Sequence, residues 1–195
     1  AFSFDDDLPT VDVSLVTEPV LPELTTQDAA TIGAAFDTAS GNFESLFTVT
    51  SDMGADDDGT APTLADLTYT LSVTTAATGL TSDGLAISVA LVGDDIVGST
   101  SAGNIFMISV NAATGEVTLT QYAEIDHVGE ALDGDTANND VNNLGLAAGN
   151  AVLTASATII DGDGDSATDT QDLDISAAFS FDDDLPTVDV SLVTE

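Results

Sequence analysis

The chain has 195 residues with 35 Asp and Glu, one His and not one Lys or Arg, for a formal charge of −35. Ordinary usage, about 25% charged residues with half of them basic, would place roughly 24 Lys and Arg here. Their absence excludes nucleic-acid binding, because nothing neutralises a phosphate, and it excludes electrostatic docking on anionic lipid. No side-chain ion pair forms unless His127 takes a proton. Hydrophobic residues still make up 43% of the chain, too many for a disordered acidic tail. A core is therefore expected inside a shell of uncompensated carboxylates, with cations as the source of the missing positive charge. There is no Cys, so neither disulfides nor thiolate metal sites contribute, and hard cations on oxygen ligands are the expectation. No apolar run of about 18 residues marks a membrane span. The start at Ala1 reads as an excised piece of a longer chain.

Residues 1–18, AFSFDDDLPTVDVSLVTE, recur unchanged as residues 178–195, an offset of 177. A perfect match of this length predicts a tandem array whose period is 177 residues. Solenoid repeats run to roughly 50 residues, so each repeat is expected to be a whole domain. The grammar of the shared segment changes at its Asp run. Ala178 to Phe181 reads as the end of one strand, and the run closes with Leu185-Pro186 as an extended turn. Residues 188–193 then alternate apolar and polar like a strand. The expected division is 1–9 as the tail and linker of a preceding repeat, 10–181 as the domain, and 182–195 as the linker and first strand of the next. One of the two copies of that strand is expected to lack its own domain.

Between the ends, stretches rich in Val, Ile, Thr and Phe predict strands at 43–50, 67–74, 85–92, 105–110, 116–125, 151–160 and 167–175. Turn residues separate them, notably Ser82-Asp83-Gly84, Ala113-Thr114-Gly115 and the alternation Asp161-Gly162-Asp163-Gly164-Asp165. Residues 27–38 are a weaker pattern that allows a short helix. Many strands at fairly regular spacing predict an all-β fold, an antiparallel sandwich with Greek-key connections.

Asp161, Asp163 and Asp165 alternate with Gly, so three carboxylates can turn towards one point. The spacing is that of the opening of a calcium loop, whose sixth position should be Gly and twelfth Glu. Here those positions hold Ser166 and Asp172, and the flanks are strands, so an EF-hand is not expected. The plain alternative is a solvated hairpin turn. Asp182, Asp183 and Asp184, with their copies Asp5, Asp6 and Asp7, lie where two repeats meet. Three adjacent carboxylates repel one another unless a cation lies between them. Calcium needs six to eight oxygens, more than the triplet offers, and the turn at Asp161 to Asp165 of a flanking domain is the first choice for the rest. A solvated charge run that keeps the linker extended is the alternative. Asp56 to Asp58, and Asp133, Asp135 and Asp140, are acidic loops with no stronger signal. His127 follows Glu124-Ile125-Asp126 without a Cys or Lys nucleophile and is expected to be a structural hydrogen-bonding residue rather than a catalytic one. Aromatics are only 5% and Trp is absent, which leaves little platform for a sugar ring, so no enzyme is expected.

The succession GADDDG, LTYTLSV, TGEVTLTQYAEIDH, LTASATIIDGDGDSAT and FSFDDDLPTV resembles the extender repeats of giant bacterial RTX-type adhesins exported by type I secretion. That resemblance covers most of residues 43–187. It implies an Ig-like sandwich, an extracellular location on the bacterial surface in biofilms, and calcium ligands at Asp182, Asp183 and Asp184. The expected function is a structural spacer stiffened by calcium at junctions with adjacent identical repeats of the same chain. A ligand-binding or self-associating lectin-like module, or an S-layer type coat domain, are the alternatives.

Overall fold

A computed structural model describes residues 8–31, 35–54, 66–127 and 143–183. Fourteen strands follow in chain order: β1 Thr10–Leu15, β2 Leu24–Gln27, β3 Asp37–Asn42, β4 Phe47–Asp52, β5 Thr68–Ser72, β6 Ala77–Ser82 and β7 Leu85–Val92. Then come β8 Asp95–Thr100, β9 Gly103–Val110, β10 Glu116–Gln121, β11 Asn143–Gly145, β12 Val152–Ile160, β13 Ser166–Asp174 and β14 Phe179–Asp182. They form one six-stranded sheet, β3-β10-β9-β8-β7-β6, and smaller sheets β11-β14-β2, β13-β12-β5 and β1-β4. The large sheet curls into a half barrel, and together the sheets make the antiparallel sandwich expected of the sequence. One pairing departs from that rule: β2 and β14 run parallel, with Leu24 opposite Phe179 and Gln27 opposite Asp182.

Side-chain alternation explains why these segments become strands. In β12, Leu153, Ala155, Ala157 and Ile159 are buried while the intervening Thr154, Ser156 and Thr158 are less so. That is the period of 2 that places every second side chain on the core face. In β7, Ile87 and Val89 point inward in the same way. The turn between β6 and β7 has both central residues at positive φ, Asp83 at 51° and Gly84 at 73°. This is the backbone of a two-residue type I′ hairpin, whose twist matches that of its strands.

The core runs continuously through the sheets, with Phe43, Phe47, Tyr69, Phe106, Phe179 and Phe181 among its largest fully buried side chains. Phe47 meets Tyr69 edge-on at 5.9 Å, and Phe106 meets Phe181 at 5.1 Å, both within the range of favourable aromatic pairs. Gly98 in β8 is required by this packing. A Cβ there would lie 2.3 Å from Cε1 and Cζ of Phe106, so the ring occupies the place of the missing side chain. The β8–β9 register shifts just beyond it, between Gly98 and Ser99.

Four expectations need correction. Among the described residues of 27–38, the helical part is a single 3-10 turn, Asp28–Ala30, and β3 begins at Asp37. The 43–50 segment opens with another 3-10 turn, Glu44–Leu46, before β4. The 116–125 strand ends at Gln121. Strands β2, β3, β6, β8 and β11 were not expected at all; each is short or rich in Gly, Thr and Asp, and each is held by neighbours rather than by its own pattern.

The duplicated segment divides its work. β1 comes from its first copy and pairs antiparallel with β4, while β14 comes from its second copy and pairs with β2 and β11. The remaining parts, 1–7 and 184–195, lie outside the described residues. Among the described residues, no helix is long and apolar enough to cross a membrane.

Candidate metal centre

With no Lys or Arg available, several carboxylates take backbone N–H groups as their partners. Asp169 accepts from Val13 in β1 at 2.8 Å, and Asp37 accepts from Gln27 at 2.9 Å. Asp126 receives both amides of the type I′ turn, Asp83 at 2.9 Å and Gly84 at 2.8 Å. A hydrogen bond shared with Thr81 is the largest influence on the Asp126 carboxyl. With the two amides and nearby His127 it outweighs partial burial and holds the group below the usual range. At Asp174, burial pushes the carboxyl up, but the hydroxyl and amide of Ser176 and the amide of Gly149 bring it below the usual range. Part of the acidity is thus structural, each carboxylate closing a turn or an edge that would otherwise leave an N–H unpaired.

The turn between β12 and β13 is different. Asp161 Oδ1 accepts the amides of Gly164 at 3.1 Å and Asp165 at 2.8 Å, and Gly164 adopts φ +105° to allow it. Asp161 is only 6% exposed. Its other oxygen, Oδ2, is buried and has no hydrogen-bond partner among the described residues. Burial pushes this carboxyl up, but bonding to the Asp163 side chain and to the turn amides prevails, keeping it below the usual range. Asp161, Asp163 and Asp165 each bring an oxygen within 4.8 Å of the others. The sequence-predicted triad is therefore assembled, with one buried oxygen turned to no donor. An oxygen-only donor set of this kind fits a hard cation such as calcium.

Of the junction carboxylates, Asp182 and Asp183 are described. Asp182 Oδ1 accepts from Asn143 Nδ2 at 2.9 Å. Asp183 joins Asp28 and His127 in a second cluster, separate from the Asp161 turn of the same chain. Asp5, Asp6, Asp7 and Asp184 lie outside the described residues, as do Asp56 to Asp58, Asp133, Asp135 and Asp140.

In the second cluster, His127 Nδ1 lies 2.9 Å from the Ile125 carbonyl and Nε2 lies 3.1 Å from the Phe181 carbonyl of β14. Its hydrogen-bonding role matches the expectation. Asp28, in the 3-10 turn after β2, is the residue that sequence reasoning missed. Its Oδ1 accepts from Gln121 Nε2, and the Ile125 amide lies 3.2 Å from both of its carboxylate oxygens. Burial pushes the Asp28 carboxyl above the usual range, against the pull of Gln121, Ile125 and His127, and the charge of Asp183 adds to the rise. The only signal in the sequence was an acid inside a weak apolar pattern, which is too common to single out.

Fold and clusters together define an acidic, all-β sandwich domain in which, among the described residues, carboxylates gather at the turn between β12 and β13 and at the end of β14. Residues 23–174, more than three quarters of the chain, match the family described as a domain of unknown function (DUF5801), and the chain belongs to that family. The matched region includes Asp28, His127 and the Asp161 turn, and stops before β14. No curated protein and no solved structure matches the chain.

Proposed function

We propose that this domain is a structural spacer: one repeat of a bacterial surface adhesin of the RTX type, stiffened outside the cell by calcium. The observation that carries the reading is the 18-residue segment shared by both ends. Its second copy supplies the last described strand of the sandwich and its first copy supplies the first. A chain built of such units places the end of one β14 and the start of the next β1 within a single short sequence, FDDDLPTV. Length then scales with copy number, which suits a spacer better than a recognition module.

Calcium is proposed at the Asp161 turn on the strength of its three carboxylates and the orphaned Oδ2. Calcium takes six to eight oxygens, so backbone carbonyls, water or junction carboxylates of an adjoining repeat complete the shell. Extracellular modules of this kind bind at roughly 10⁻⁴ to 10⁻³ M, which leaves them empty in the cytoplasm and loaded outside. Bound calcium removes carboxylate repulsion and narrows the range of angles between repeats. The test is small-angle scattering of a three-repeat chain with millimolar calcium and with chelator. A longer, stiffer particle in calcium is expected; identical dimensions in both conditions would sink the spacer-stiffening reading.

A further inference from the structure

We propose that Asp28, His127 and Asp183 form a second cation site, distinct from the Asp161 turn, which takes one divalent ion of the imidazole-accepting class (zinc, nickel or copper). The ligands are His127 Nδ1, Asp28 Oδ2 and Asp183 Oδ1.

Among the described residues, the polar atoms that face the His127 ring are all oxygens: the Phe181 carbonyl at Nε2, and at Nδ1 the Ile125 carbonyl at 2.9 Å, Asp28 Oδ2 at 3.4 Å and Asp183 Oδ1 at 3.7 Å. Carbonyls and ionised carboxylates only accept, and a neutral imidazole carries a single N–H. One ring nitrogen therefore points its lone pair at oxygen lone pairs unless a cation stands between them. The site is interior, with the His127 and Asp28 side chains each 2% exposed and Asp183 at 16%, so bulk water does not relieve the conflict.

The two nitrogens are not equivalent. Nε2 faces one oxygen, as a simple N–H donor does. Three oxygens converge on Nδ1, which is more than one proton can serve. Donating Nε2–H to a backbone carbonyl is also the usual way that a metal-bound histidine is oriented. Asp28 is fixed from behind in a similar manner, its Oδ1 held by Gln121, which also donates to the Ala123 carbonyl at 3.0 Å.

Distance and charge favour a metal over a proton. Ligands about 2.1 Å from a tetrahedral zinc stand roughly 3.4 Å apart, close to the observed 3.4 and 3.7 Å between Nδ1 and the two carboxylate oxygens. A proton balances only one of the two carboxylate charges, whereas a divalent ion balances both, in a chain with no Lys or Arg to supply the difference. One nitrogen with carboxylate and carbonyl oxygens suits zinc, nickel or copper better than calcium. The ion would pin three separate segments together: the turn after β2, the segment after β10 and the residue that follows β14.

His127 is the only histidine, so its ring gives the only imidazole signals in a nitrogen-15 spectrum. Chelator-treated protein is titrated calorimetrically with zinc and nickel, and with calcium and magnesium as oxygen-preferring controls. Wild type, His127→Gln and Asp161→Asn are compared. Expected are one equivalent of zinc or nickel in wild type and in Asp161→Asn, and affinity at least tenfold weaker in His127→Gln. In wild type, zinc should also displace the Nδ1 resonance while Nε2 keeps its proton. No stoichiometric uptake, equal uptake by His127→Gln, or a ring protonated on both nitrogens in the presence of zinc overturns the proposal. The last result identifies a proton as the sole cation, and it needs no variant to fold.

Discussion

Replacing Asp161 by Asn separates its two carboxylate oxygens by function. The Asn Oδ1 still accepts the amides of Gly164 and Asp165, which lie 3.1 and 2.8 Å from Asp161 Oδ1, so the turn keeps its internal bonds. What changes is the buried Oδ2, which becomes an uncharged amide nitrogen unable to bind a cation. In chelator the variant should melt close to wild type, because one negative charge leaves a cluster of three. Calcium should then distinguish them. A site with Kd of about 10⁻⁴ to 10⁻³ M in about 10 mM free calcium stabilises the folded state by about 1.4 to 2.7 kcal/mol. For a domain of this size that corresponds to a rise in Tm of about 3 to 11 °C. Wild type should show this rise in a calorimetric scan, and Asp161→Asn should lose most of it. Equal rises in both proteins would refute the placement of calcium at this turn, and no rise in either would refute calcium as its ligand.

Two further predictions concern the fold. Gly98→Ala forces a methyl into the Phe106 ring, which is itself wedged against Phe181. A loss of about 1 to 3 kcal/mol is expected in urea unfolding, and Phe106→Leu in the same chain should remove most of the added loss; additive effects would show that the contact is not the cause. Acid should also act through Asp126 and Asp174, whose folded-state pKa values are depressed. Their contribution is complete above the unfolded value of about 3.9 and is lost as pH falls through the lower folded values. Asp28, raised by burial, acts in the opposite sense, its contribution being complete below the unfolded value and lost as pH rises through the folded one. Asp126→Asn should therefore flatten the fall in Tm below about pH 4, and an unchanged slope would assign that fall to other groups.

The sequence by itself determined the all-β class, most of the longer strands and the acidic turn. The reason is local. Residues 85–92 and 151–160 alternate with period 2, Asp83-Gly84 has the backbone freedom that a type I′ turn demands, and Asp161, Asp163 and Asp165 are neighbours in the chain. It also announced, through 35 acids and no base, that positive charge must come from elsewhere. The tertiary structure divided that demand. Backbone amides answer many of the carboxylates, as at Asp126, Asp169 and Asp174. Among the described residues, others gather at two places, and the second was illegible because its members lie far apart in sequence. Asp28, His127 and Asp183 meet only because β2 and β14 pair in parallel and the segment after β10 folds across them, with His127 reaching the Phe181 carbonyl. Local pattern predicts a strand or a turn, whereas a site assembled from the two ends and the middle of a chain depends on which strands become neighbours.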